Sequence, residues 1–87
     1  FLAEHPQEQQ RLIDDESLVP RAVEEILRFE APLHWFPRLA TEDVTVSGQE
    51  VKAGDRVLLL FGSANRDAAV FDRADEVVID RSPNKHL

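Results

Sequence analysis

The chain has 87 residues, 43% hydrophobic and 31% charged, which excludes long polar disorder and allows at most one small domain with a thin core. Asp and Glu number 17 against 10 Lys and Arg, so the net charge of -7 has the wrong sign for nucleic acid or an anionic membrane as main partner. The absence of cysteine removes a disulfide framework, a thiolate metal site and a cysteine nucleophile together.

Pro6 suits the first turn of a helix, where a missing N–H costs nothing, and Leu12 and Ile13 give a weak apolar edge. Residues 6–14 therefore read as a short exposed helix. Asp14, Asp15 and Glu16 interrupt it, and Ser17 is the expected N-cap of the next element, with Pro20 inside its permissive first turn. On a helical wheel Leu18, Val19, Ala22, Val23, Ile26, Leu27 and Phe29 share one broad arc, which predicts a helix from Ser17 to Phe29 buried along that arc. Pro32 stops it by disfavouring helical geometry at Ala31.

After Pro37 the pattern changes to period two. Val44 and Val46, Val51, then Val57, Leu59 and Phe61 alternate between the turn signals Ser47-Gly48 and Ala53-Gly54-Asp55, predicting a β-meander of short strands. Leu58 and Leu60 are apolar too, so the strand from Arg56 to Phe61 is expected to have both faces covered. Gly62 to Asp67 reads as an irregular turn, Asp67 to Phe71 as one helical turn, Val77 to Ile79 as a last strand, and Ser82-Pro83-Asn84 as loop. With no internal repeat or linker, residues 1–87 form a single partial domain. No apolar run approaches the roughly 18 residues of a membrane span, and no basic segment leads into an apolar core as in a signal peptide. A soluble, cytoplasmic chain is expected. It opens on Phe1 and contains no Met, which predicts a piece of something longer.

Glu25 and Arg28 are three apart on the strong helix and therefore neighbours on one face. Either they form a surface ion pair, or a second guanidinium joins them in a buried, fully hydrogen-bonded network. His34, Trp35 and Phe36 lie between Pro32 and Pro37, in an extended segment whose rings either pack in a core or wall a pocket. His5, His34 and His86 are too dispersed for a metal site, and Gly48, Gly54 and Gly62 are isolated turn glycines, not a phosphate loop. Lys52 precedes its turn instead of occupying the tip, which argues against a biotin or lipoate carrier.

In order and at these spacings, AVEEILRFEAP, PRLATEDVTVSGQEVKAGDRVLLLFGSANRDAAVF and VVIDRSPNKHL resemble a bacterial-type cytochrome P-450, a haem-thiolate monooxygenase. The similar region runs from the J/K-helix region to just before the haem-binding loop. A lone E-x-x-R is weak, but E-x-x-R followed by R-x-A-T, the A-G-D hairpin, A-N-R-D and I-D-R is specific. The resemblance implies an α+β segment, two helices and then a β-meander, of a mainly α-helical fold. It implies that Glu25, Arg28 and Arg81 form a structural charged triad, that Arg38 and His86 contact the haem propionates, and that Leu33, His34, Trp35 and Phe36 line the substrate pocket.

For the parent protein the resemblance implies insertion of one oxygen atom of O2 into a small organic substrate, with a ferredoxin-like or flavoprotein electron donor. The haem cofactor would be held by a cysteine that these residues do not supply, so the chain alone is expected to be inactive. The apolar surface of the helix from Ser17 to Phe29 and of the strand from Arg56 to Phe61, which further helices of the parent would cover, predicts that it self-associates. Ala68 and Arg73 depart from the family by standing where proline is common. The rival from another class is a truncated, non-catalytic relative acting as a protein-interaction module.

Overall fold

The computed structural model describes residues 1–87 as three α-helices and two small antiparallel sheets. Helix α1 spans Pro6–Asp14 with Pro6 in its first turn, as predicted, and buries no residue. Arg11 on α1 bridges Glu8 at 2.9 Å and Asp80 at 3.1 Å, tying this exposed helix to the far end of the chain.

Asp15, not Ser17, caps the element after α1. Its Oδ1 accepts the Ser17 N–H at 3.0 Å and opens a 3₁₀ turn over Glu16–Leu18, after which α2 runs Val19–Glu30. A carboxylate outcompetes a hydroxyl as acceptor, and bonds from the Ser17 hydroxyl and N–H hold the Asp15 carboxyl below its usual range.

The burial of α2 differs from expectation. Ala22, Glu25 and Arg28 are its buried residues, while Val19, Val23 and Leu27 of the apolar arc are exposed. Only part of that arc is covered, Ala22 being buried and Leu18, Ile26 and Phe29 half-buried, whereas the flank bearing the charges faces the C-terminal loops. At the helix end Ala31 adopts φ 40°, a left-handed terminator whose N–H still reaches Leu27 O at 3.0 Å, and Pro32 prevents continuation.

The strands are nested, not sequential. Strand β1 (Phe36–Leu39) pairs with β4 (Arg56–Leu59), and the hairpin of β2 (Val44–Val46) with β3 (Gln49–Val51) is inserted between them. The inner hairpin turns on Ser47 and Gly48, both at positive φ, the two-residue geometry whose twist matches paired strands. Gly54, at φ 89°, takes the third position of the turn closed by Asp55 N–H to Lys52 O at 3.0 Å.

Register puts Phe36, Leu59, Arg38 and Val57 on one face of the outer ribbon and Pro37, Leu58, Leu39 and Arg56 on the other. Both faces are apolar, as the sequence predicted, but neither is fully covered within this chain: Phe36 is 45% exposed on one face, and Leu39 is 63% exposed on the other. The strand ends at Leu59, before Phe61. Phe61–Ala64 instead form helix α3, which takes the predicted last strand residue and the start of the stretch from Gly62 read as an irregular turn, with Asn65 N–H bonded to Phe61 O at 2.9 Å. The single turn at Asp67–Phe71 is present, closed by Phe71 N–H to Asp67 O at 2.8 Å.

Val77 to Ile79 is not a strand. The Val78 N–H goes to Glu25 Oε1 at 3.0 Å and is lost to any ladder. Arg73 takes φ 51°, which proline cannot adopt, so the local turn here differs from one built on proline.

The radius of gyration is 17.0 Å, against about 12 Å for a compact chain of this length, and the extents are 53 × 21 × 21 Å. The elongation comes from the ribbon, whose apolar faces have no opposing layer. Exposed apolar surface costs about 25 cal/mol per Å². The isolated 87-residue chain should therefore associate, its sedimentation coefficient rising with concentration, and Leu39→Asp with Leu58→Asp should return it to monomer. A concentration-independent monomer without those substitutions would contradict this.

Candidate functional site

The three-residue spacing on α2 makes Glu25 and Arg28 a forked pair, with Arg28 Nε to Glu25 Oε2 at 2.9 Å and Nη2 to Oε1 at 2.7 Å. Both side chains are 0% exposed, so this is no surface ion pair. The other guanidinium protons meet main-chain carbonyls: Nη1 donates to Asn65 O at 2.7 Å and Ala74 O at 2.8 Å, and Nη2 to Glu76 O at 2.8 Å. All five donors of the fork are thereby used.

Glu25 is the hub for the rest. Its carboxylate also accepts Arg81 Nε at 2.9 and 3.0 Å, the Val78 N–H at 3.0 Å and Asn84 Nδ2 at 3.1 Å. Arg81 then spends Nη1 on Asp72 O at 2.6 Å and Nη2 on Arg73 O at 3.1 Å. Two guanidinium groups thus share one carboxylate, and five carbonyl dipoles take up the excess positive charge. The Phe71 ring lies beneath both, 5.2 Å from the Arg28 and 6.0 Å from the Arg81 guanidinium carbon. Burial would raise the Glu25 carboxyl, but hydrogen bonds from Arg28, Val78 and Arg81 outweigh it and hold the group below its ordinary 4.5.

The structure brings Glu25, Arg28 and Arg81 together and places the other predicted residues apart from them. Leu33, His34, Trp35 and Phe36 form an exposed run entering β1, tied to α3 by the Gly62 N–H on His34 O at 3.1 Å. Arg38 follows on the Phe36 face, its guanidinium carbon 4.8 Å from that ring's centroid. It is exposed, donates to Pro37 O at 2.9 Å, and has no carboxylate partner. His86 lies against α2, with Nε2 on a Glu24 carboxylate oxygen and Nδ1 on the Leu87 main-chain oxygen at 3.1 Å. Both partners are acceptors, so both ring nitrogens carry protons. Burial lowers its pKa, but the bonds to Glu24 and Leu87 prevail and raise it above 6.5.

Sequence reasoning missed Asn65, Asn84 and the carbonyls of Asp72, Arg73, Ala74 and Glu76. Asn65 sits in the A-N-R-D run, so the motif itself was the signal that could have found it. Main-chain carbonyls carry no residue signal at all.

This arrangement defines a buried Glu–Arg–Arg network at the junction of a helix with an irregular C-terminal segment, beside an exposed apolar and cationic ribbon. The chain belongs to the cytochrome P450 family, whose model matches residues 1–85. It is 49% identical over 86 residues to cytochrome P450 126 of Mycobacterium tuberculosis and 40% identical over 86 residues to the steroid C26-monooxygenase of Mycolicibacterium smegmatis, covering 99% of this chain in each case. The crystal structure of CYP109E1 from Bacillus megaterium with testosterone superposes at a TM-score of 0.94 with 40% identity, covering 98% of this chain. The chain spans 21% of the length of those two curated relatives and 24% of that solved chain.

Removing one member of the network leaves a buried charge unpaired, which costs roughly 3–5 kcal/mol. Arg28→Lys should cost a similar amount, since an ammonium cannot fill a five-donor fork, and denaturation midpoints of the full-length protein read both losses. Because the folded Glu25 pKa is depressed, its contribution is complete above 4.5 and disappears as pH falls through the folded value. Glu25→Gln should therefore flatten the acid limb of the stability profile. An unchanged acid limb and wild-type midpoints would return the pair to a marginal role.

Proposed function

We propose that this chain is the segment of a haem-thiolate monooxygenase that supplies its charged structural triad, a propionate clamp and part of the substrate wall. The parent would insert one oxygen atom of O2 into a small organic substrate, taking electrons from a ferredoxin-like or flavoprotein donor. The observation that carries this reading is the buried Glu25–Arg28–Arg81 network, found in a chain matched almost end to end by the family. The interaction-module alternative has no observation in its favour.

Haem, when bound, supplies the oxygen chemistry, and the protein supplies binding, orientation and electrostatics. Arg38 fits a propionate, being an exposed, planar, two-pronged donor with no carboxylate of its own. His86 fits in charge, but its donors face Glu24 and Leu87, so meeting a propionate requires it to exchange one of them. Two residues apart on β1, Phe36 and Arg38 share a face, so the pocket wall and the clamp belong to one surface. Leu33 and Trp35, 51% and 54% exposed, offer the apolar area a small organic substrate needs. A thiolate holding the haem would have to come from outside these residues, because they include no cysteine.

In the full-length parent, Arg38→Leu should speed haem loss roughly tenfold to a hundredfold, the worth of a charge-assisted hydrogen bond, while leaving substrate preference in place. Leu33→Phe should do the reverse. An Arg38→Leu variant that changes substrate preference alone, with haem loss and reduction potential unaltered, would remove Arg38 from the clamp.

A further inference from the structure

The A-N-R-D run, residues 64–67, takes no part in the triad's own ion pairing, yet its polar side chains are all engaged. Arg66 donates Nε and Nη2 to Phe29 O at 3.1 and 2.7 Å and lies over the Phe29 ring at 3.8 Å, closing the end of α2. Asp67 caps the next turn by accepting the Ala69 N–H at 2.9 Å. Asn65 is 1% exposed and does more than either.

Its main-chain oxygen accepts Arg28 Nη1 at 2.7 Å, while its side-chain amide pairs with the main chain of Leu87. Leu87 N–H donates to Asn65 Oδ1 at 2.7 Å, and Asn65 Nδ2 donates to the Leu87 oxygen at 3.2 Å. The amide thus imitates a strand partner for one residue. That same Leu87 oxygen accepts His86 Nδ1, so the ring's orientation toward Glu24 depends on an atom that Asn65 holds.

We propose that Asn65 is a positioning residue for His86, linking the Arg28 fork through the Leu87 main chain to the orientation of the imidazole. The inference rests on the proposed function only where it assigns His86 to a propionate. The link itself is defined by the bond from Arg28 to Asn65, the reciprocal pair between Asn65 and Leu87, and the bond from His86 to the Leu87 oxygen. Asparagine meets the need because it alone offers an acceptor and a donor side by side on a short, uncharged stem. Aspartate would set a carboxylate against the Leu87 oxygen, and glutamine would overfill a closed site.

The test uses the full-length protein in its diamagnetic ferrous carbon-monoxide form, with labelled histidine assigned by comparison with His86→Gln. Asn65→Ala should release the ring from Glu24, so the His86 titration midpoint falls from its raised value toward 6.5. Haem loss should accelerate by up to about tenfold, the worth of one neutral hydrogen bond. In the unmodified protein the Leu87 N–H should exchange with the buried core amides, a measurement that stands even where Asn65→Ala does not fold. A lowered midpoint with unchanged haem loss supports Asn65 as the positioning residue and removes His86 from the propionate. An unmoved midpoint in a folded Asn65→Ala protein, or a Leu87 amide exchanging as freely as solvent-exposed ones, overturns the positioning role.

Discussion

A single buried carboxylate ties the C-terminal segment of the chain to α2. Glu25 accepts from Arg28 on its own helix and from Arg81, Asn84 and the Val78 N–H, which draws the stretch 78–84 onto one helix face. Residues 72–76 have no regular structure, and four of their five carbonyls are met by the two guanidinium forks instead of by a ladder. A loop ordered in this way takes its shape from the forks, with Ala74 the one residue of 72–76 that is buried. Each fork has a planar, fixed donor geometry, so the carbonyls it meets are positioned as closely as in a strand.

The cost of such an arrangement explains where the apolar residues go. Burying ions is rarely favourable against a well-packed apolar core, so a charged centre is retained for the geometry it imposes. Here it takes the most sheltered positions, and large apolar side chains such as Val23, Leu27, Leu58 and Leu60 face outward. In a complete small domain that inversion would be unstable. In a segment of a larger fold it is coherent, with the polar centre setting local shape and the outward apolar faces left for packing against other parts of the parent.

Local chemistry was legible in the sequence wherever one residue type decides the outcome. Pro6 opens α1, Pro32 closes α2, and Ser47-Gly48 makes the inner turn, each through a backbone preference that acts within a few residues. The E-x-x-R spacing gave the paired helix face, and the order of later motifs gave Arg81 as a third member. Long-range competition for hydrogen bonds was not legible. Val77 to Ile79 has strand composition, yet Val78 gives its N–H to a carboxylate 53 positions earlier, and no window of neighbouring residues records that. The same holds for the nesting of β1 with β4, which depends on the inner hairpin closing as a local unit and leaving Leu39 and Arg56 opposite each other.

The two kinds of site in this chain place different demands on their surroundings. A clamp of the kind proposed for Arg38 would work at an edge, where an exposed guanidinium is free to meet a ligand and its removal leaves the fold intact. The triad works only when closed, because every donor of Arg28 has a partner and no water competes. Asn65 stands between these regimes, its backbone within the closed network and its side chain on the segment that carries His86. A rigid centre can thereby fix the direction of a cationic ring at the edge without placing another charge inside. An amide, and not a third ion pair, stands at the point where the network meets the segment that carries His86, because it supplies a donor and an acceptor without adding charge.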